Sequence, residues 1–328
     1  MAPLKMYVTR NIPEPGLSVL KAAKEFEITQ WQSDAAVPQD ELIKNVKGID
    51  VLFCLLTDRI DKEVLDSAGP SLKVICTMSV GYEHIDTAEC KKRNIAVGNT
   101  PVISTESVAD MAITLMLAVS RRIFEGVRAV KNGEWGTWVP MWLCGPEVAE
   151  STVGIIGLGR IGFSIAKRVR GFGIKRLLYQ DVVEMPHAKE VNGEYSSMEK
   201  LLTESDFIIA SCNLTEETKH LFRNETFKKM KNTAVLVNIS RGGVVNLADL
   251  YEALKAGEIR AAAVDVTDPE PLPKDNPLLT LDNCIVTPHI ASATNEARYK
   301  MSNMTAENIL AFLDGKPAPG AVIVPEQK

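Results

Sequence analysis

Along the first hundred residues, short apolar runs alternate with stretches in which apolar side chains recur every three or four positions. The runs Met6–Thr9, Ile28–Trp31, Val51–Leu56, Lys73–Met78 and Ile95–Val97 predict strands, and Gly16–Lys24, Asp40–Val46, Lys62–Ala68 and Asp86–Lys92 predict helices between them. Such alternation implies a parallel sheet covered by helices on both faces. Thr100-Pro101 stops the pattern. The stretch from Ser104 to Arg121 then predicts a long helix, apolar on nearly every side, as expected of a helix lying between two bodies of protein.

From Ser151 the alternation resumes, with strands expected at Thr152–Ile156, Arg176–Tyr179, Asp206–Ser211, Ala234–Ile239, Ala261–Val266 and Cys284–Thr287. A final helix is expected over Asn295–Leu313, carrying Met301, Met304, Ile309 and Leu310, and the Pro-rich tail after it should pack back on the first domain. The predicted fold is α/β, with two doubly wound parallel-sheet domains. One is discontinuous, residues 1–103 with 290–328; the other, residues 104–289, is inserted into it.

Composition leaves this picture standing and narrows the function. A chain of 328 residues exceeds the roughly 250–300 at which single cores split, in keeping with two domains. With 45% hydrophobic and 24% charged residues it has the make-up of a globular protein, and 37 basic against 42 acidic side chains give a formal charge of −5, without the basic footprint of a nucleic-acid binder. The most apolar segment, Val108–Val119, is far shorter than the roughly 20 residues that span a bilayer, and Met1–Arg10 has no secretory pattern. Cys54, Cys76, Cys90, Cys144, Cys212 and Cys284 include no close-spaced pair, which favours reduced thiols and a cytoplasmic location over disulfides or a zinc site. The terminal Glu326-Gln327-Lys328 is not a peroxisomal signal.

The clearest chemistry lies at Gly157-Leu158-Gly159-Arg160-Ile161-Gly162, which follows the predicted strand Val153–Ile156 and opens the amphipathic segment Ile161–Gly171. Between strand and helix, such glycines give a tight turn, backbone approach to a pyrophosphate and close helix–strand packing. The inserted domain is therefore expected to bind a dinucleotide in Rossmann fashion. A βα turn that binds nothing, or a methyltransferase turn, uses similar residues. Asp181 ends the next strand at the distance expected of the acid that binds a ribose 2′-hydroxyl, and Val182-Val183-Glu184 after it offers no cation to a 2′-phosphate. This favours NAD(H). The bland alternative is a solvated aspartate at a strand end.

Ligands in open α/β sheets bind beyond the carboxyl ends of strands, so the loops there carry the remaining candidates. They are Ser240-Arg241-Gly242, Thr267 to Leu272 with Glu270, Pro288-His289, and Ser79-Val80-Gly81 in the first domain. A 2-oxo acid brings a carboxylate, a carbonyl and a demand for a proton. Arg241 can hold the first two, His289 can supply the proton, and Glu270 can orient the imidazole. The Val80 and Gly81 amides can take the far side of the carboxylate. Each residue also has an ordinary reading, as a surface ion-pair partner or a stiff turn.

Taken with Asn238-Ile239-Ser240-Arg241-Gly242, Asp265-Val266, Glu270-Pro271-Leu272 and Pro288-His289, the glycine motif resembles the D-isomer-specific 2-hydroxyacid dehydrogenase family over nearly the whole chain. The resemblance implies that Arg241, Glu270 and His289 are catalytic, that Asp265 contacts the nicotinamide carboxamide and Ser240 the cofactor, and that Ser79–Gly81 bind substrate. Thr77–Gly81, the Trp135–Trp142 arm with Cys144-Gly145, and His289–Thr294 with Ser292 resemble the subgroup that reduces glyoxylate and hydroxypyruvate. In that subgroup the arm helps form a homodimer, and the tryptophan matching Trp138 reaches the partner subunit's active site, which makes Trp138 a candidate substrate-binding residue. Its animal members generally prefer NADPH and carry arginine near the position of Asp181-Val182, which leaves NADP(H) open. Two rivals stand beside this reading: a nucleotide sensor or transcriptional corepressor on the same fold, and a dehydrogenase for a larger acid such as 3-phosphoglycerate.

Overall fold

The computed structural model describes residues 2–23 and 26–325, so the Lys24 end of the first predicted helix and the terminal Glu326-Gln327-Lys328 fall outside the described residues. Two compact units make up the chain, one from the residues up to Ser104 and from Ala293 onward, the other Thr105–Ser292.

The first unit opens with β1 (Leu4–Val8), α1 (Glu14–Ala23), β2 (Phe26–Gln30), α2 (Gln39–Asn45), β3 (Val51–Cys54), α3 (Lys62–Ala68), β4 (Val74–Thr77), α4 (Thr87–Lys92) and β5 (Ala96–Gly98). Every residue of β3, β4 and β5 is buried, which explains continuous apolar runs in place of alternation. Helix starts are fixed locally: the Asp61 carboxylate accepts from the amides of Glu63 and Val64, and that of Asp86 from the amide of Glu89.

The second unit contains α5 (Thr105–Ser120), α6 (Ile123–Lys131), β6 (Thr152–Ile156), α7 (Arg160–Arg170), β7 (Arg176–Gln180), a 3-10 helix (Pro186–Val191), β8 (Gly193–Tyr195), α8 (Met198–Glu204), β9 (Phe207–Ala210), the single turn α9 (Asn224–Phe227), β10 (Val235–Asn238), α10 (Leu247–Ala256), β11 (Ala261–Val264) and β12 (Cys284–Val286). Its sheet runs β12-β11-β10-β9-β6-β7-β8, parallel throughout. Strand order reverses at β6, between β9 and β7, the switch point where doubly wound sheets receive ligands. The long helix α5 buries the stripe Val108, Ala109, Ala112, Leu115, Met116 and Val119 and packs on α7, β10 and β11, while Asp110 stands on its exposed side.

The chain then returns to the first unit as α11 (Asn295–Leu313), packed on α1 and β4, and β13 (Ala321–Ile323). The first sheet runs β13-β5-β4-β3-β1-β2. Here the all-parallel expectation is corrected at one edge: β13 pairs with β5 antiparallel, because the tail reverses direction after α11. Among the described residues no helix is long and apolar enough to cross a membrane, and all six cysteines are free thiols.

Candidate active site

Directly after β6 the backbone turns at Gly157 with φ +87°, where a Cβ would also stand 2.7 Å from the Cys212 backbone. A Cβ on Gly162 would come within 2.0 Å of the Gly157 carbonyl oxygen, so a bare backbone lets α7 sit against the turn. Gly159 differs: nothing lies within 4 Å of its Cβ position. One glycine thus serves conformation, one packing and one access, and Arg160 and Ile161 open α7 beside them. This is a cradle that a dinucleotide pyrophosphate fits. Asp181, the residue after β7, reaches the same turn, its Oδ2 accepting the Leu158 amide at 2.7 Å and its Oδ1 the Val182 amide at 2.8 Å.

Three further loops meet beyond β10, β11 and β12. After β10, buried Asn238 folds the loop over itself: its Oδ1 accepts from the Ser240 amide and hydroxyl at 3.0 and 2.7 Å, and its Nδ2 donates to the Arg241 carbonyl at 3.0 Å. Arg241 Nη1 donates to the Ser240 carbonyl at 2.8 Å. A Cβ on Gly242 would lie 1.9 Å from the Thr267 carbonyl oxygen, so this loop rests on the backbone of the loop that carries Glu270. That second loop contains two cis X-Pro bonds, Asp268-Pro269 and Glu270-Pro271.

Glu270 Oε1 accepts the Thr267 amide at 3.0 Å and its Oε2 meets His289 Nδ1 at 2.9 Å. Burial works against the charge on Glu270, but the bonds from His289 and Thr267 and the nearby Arg241 charge outweigh it and hold the carboxyl below its usual range. With Nδ1 engaged, Nε2 is the ring atom left to face a reactant, and the side chains of His289 and Glu270 keep 32% and 34% exposure. His289 sits at φ +53°, strained for a side chain that is not glycine. Its backbone is nonetheless fixed: its N–H donates to the Asp265 carbonyl at 2.8 Å, and the Asp265 carboxylate accepts from the Thr287 hydroxyl (2.6 Å) and the amides of Ile290 (2.9 Å) and Ala291 (2.8 Å). Ser292, half-buried, follows directly.

In the first unit, Ser79–Gly81 leave β4 with every carbonyl engaged. Thr100 N–H donates to that of Ser79 at 2.9 Å, Asn99 Nδ2 to that of Val80 at 2.6 Å, and the Ser79 hydroxyl to that of Gly81 at 2.6 Å. Trp138 is 79% exposed in an arm that also exposes Trp135, Met141 and Trp142. Sequence reasoning missed the parts played by Asn238 and Thr267 and by the Asp265 carboxylate as a clamp. Their only signal is a polar residue ending a buried strand.

A Rossmann-type sheet with this turn, and an arginine, a glutamate and a histidine at its carboxyl edge, is the framework of a nicotinamide-dependent oxidoreductase. The NAD-binding-domain model of the D-isomer specific 2-hydroxyacid dehydrogenases matches residues 113–291. The human protein named glyoxylate reductase/hydroxypyruvate reductase is 50% identical over 317 residues, covering 96% of this chain and 97% of its own. Among solved structures, a protein of Thermus thermophilus superposes with a TM-score of 0.92 at 39% identity, over 98% of this chain and 100% of that one. An NADPH-dependent glyoxylate/hydroxypyruvate reductase of Sinorhizobium meliloti, solved with NADP and malonate, gives 0.85 at 26% identity, over 100% and 99%. The chain belongs to the D-isomer specific 2-hydroxyacid dehydrogenase family and is an NAD(P)-dependent enzyme of that class.

Proposed function

We propose that the protein reduces small 2-oxo acids, glyoxylate and hydroxypyruvate, to glycolate and D-glycerate. The observation that carries this reading is the Glu270–His289 pair, held on a strained but clamped backbone at the sheet edge that also bears the glycine turn. The reduced nicotinamide supplies the hydride. Arg241 holds the substrate carboxylate and polarises the carbonyl oxygen through its planar donors. His289 Nε2 gives that oxygen a proton as the alcohol forms, and recovers it in the reverse direction. Glu270, bonded to Nδ1, keeps Nε2 pointed at the reactant. The Val80 and Gly81 amides are assigned to the substrate carboxylate, and Asp265, Ser240, Arg160 and Ile161 to the cofactor.

Asp181 supports NADH as the preferred cofactor, since its anchored carboxylate repels a 2′-phosphate. The chain is further read as a homodimer through the arm. Ile123, Phe124, Val127 and Val130 are exposed on α6, as are Trp135, Trp138 and Met141 in the arm, and large apolar side chains left open to solvent in this number support an interface. Steady-state reduction of both acids with both cofactors tests the activity. Turnover with NADH is expected, and a tenfold preference for NADPH in kcat/KM, about 1.4 kcal/mol, sinks the cofactor assignment. Absence of turnover with either acid and either cofactor would favour the sensor reading.

A further inference from the structure

Leu158, in the middle of the glycine turn, has its peptide groups held from two directions. Its N–H donates to Asp181 Oδ2 at 2.7 Å, and its C=O faces His187 Nε2 at 2.8 Å. The dinucleotide fingerprint accounts for the first contact and not for the second. His187 comes six residues after the acid, in a polar stretch with no motif.

The imidazole is placed by its surroundings. Pro186 starts the 3-10 helix, Ala188 and Val191 are buried beneath it, and the Met185 amide just before it donates to the Tyr179 hydroxyl at 3.0 Å. The ring stands edge-on to Phe163 of α7 with centroids 4.7 Å apart. Because the Leu158 carbonyl is an acceptor only, His187 Nε2 is the donor. The Leu158 carbonyl and the Gly159 N–H belong to one planar trans peptide and point in opposite directions. Fixing the carbonyl therefore fixes where the Gly159 N–H points, at the one glycine of the turn whose Cβ position is open.

We infer that His187 is a positioning residue for the cofactor turn: by holding the Leu158 carbonyl it aims the Gly159 amide at the pyrophosphate of the dinucleotide. The pyrophosphate is common to NADH, NADPH and ADP-ribose, so the effect is blind to the 2′-position that Asp181 reads. It rests on the turn's binding a dinucleotide and is independent of which cofactor is preferred.

The test is equilibrium binding of NADH, NADPH and ADP-ribose to His187→Leu, His187→Gln and His187→Asn, with melting temperature and amide exchange over the 157–162 turn recorded alongside. Glutamine can place an N–H near the position of Nε2; asparagine, one carbon shorter, cannot. Leu and Asn should weaken all three ligands by a common factor of about three to ten, the worth of one hydrogen bond, and Gln should stay within about twofold of wild type. Exchange of the turn should quicken in Leu and Asn, and kcat at saturating cofactor should hold. Should the leucine variant fail to fold, the Gln and Asn pair carries the same comparison. Unchanged affinities, a loss confined to one ligand, or equal impairment in Gln and Asn overturn the inference. Failure of wild type to bind any of the three refutes the reading of the turn itself.

Discussion

Gly159→Ala separates binding from folding, because the added methyl group meets no protein atom within 4 Å. The backbone there, φ −67° and ψ −163°, is extended and open to alanine. Loss of chain entropy in the unfolded state favours the variant by about 0.4–1 kcal/mol, and the poorer showing of alanine at a helix N-cap costs a similar amount. The apo melting temperature should then stay within about 2–4 °C of wild type. The methyl group occupies the space through which a pyrophosphate approaches the backbone, and crowding of this kind costs about 1–3 kcal/mol, or about five- to 150-fold in Kd. Gly162→Ala is the counter-experiment. Its Cβ would stand 2.0 Å from the Gly157 carbonyl oxygen, so it should lower the melting temperature before any ligand is added. Differential scanning fluorimetry of the apo proteins and fluorescence titration with NADH read the two effects separately. Refutation would be Gly159→Ala binding NADH within about twofold of wild type, or losing stability as Gly162→Ala does.

Gly242→Ala would place a methyl group 1.9 Å from the Thr267 carbonyl oxygen, forcing the Arg241 and Glu270 loops apart by about an ångström; kcat/KM should fall about 100-fold, and a wild-type value shows that their contact is dispensable. Glu270 is held below its ordinary value of 4.5 in the folded state, so its contribution to stability is full above that value and fades as pH falls through the lower one. Melting curves of wild type and Glu270→Gln should therefore lie farthest apart near neutrality and draw together as pH falls below 4.5; a constant separation contradicts the assigned interactions. Val127→Glu with Val130→Glu puts charge on the apolar face of α6 and should shift the mass measured by light scattering from dimer to monomer. An unchanged mass removes that face from the interface.

The strands that predicted best are those buried over their whole length. β6 runs Thr152–Ile156 as expected because both faces are covered and the glycine turn ends it abruptly. Next to the candidate site the expected strands overran. Ala261–Val266 stops at Val264, and the Asp265 carboxylate next to it gathers the amides after His289. Val266 is apolar and buried beyond the end of the strand, so hydrophobicity could not mark that end. The edge strands β8 and β13 escaped notice because they are three residues each and partly exposed: β8 has no apolar run, and the apolar Ala321–Ile323 of β13 is too short to stand out in a Pro-rich tail. Helix α6 was also missed: Arg122 before it makes no side-chain cap bond, and Gly126 lies in its interior, so neither a start signal nor an unbroken helix-forming run marks it. Of the site, Arg241, Glu270 and His289 were legible as polar residues after strands. Asn238 holds its own loop through contacts two and three residues away, whereas those of Asp265 and of the bare backbone of Gly242 depend on approaches between loops distant in sequence.

The central claim is that His289, oriented by Glu270, passes a proton to the substrate oxygen while hydride is transferred. It is tested most directly by the rate of NADH consumption with hydroxypyruvate for wild type and His289→Ala, measured with NADH affinity on the same preparations. The account predicts steady turnover by wild type, a fall in kcat of about 100-fold or more in the variant, and NADH binding within about twofold. A variant that turns over at the wild-type rate would contradict it.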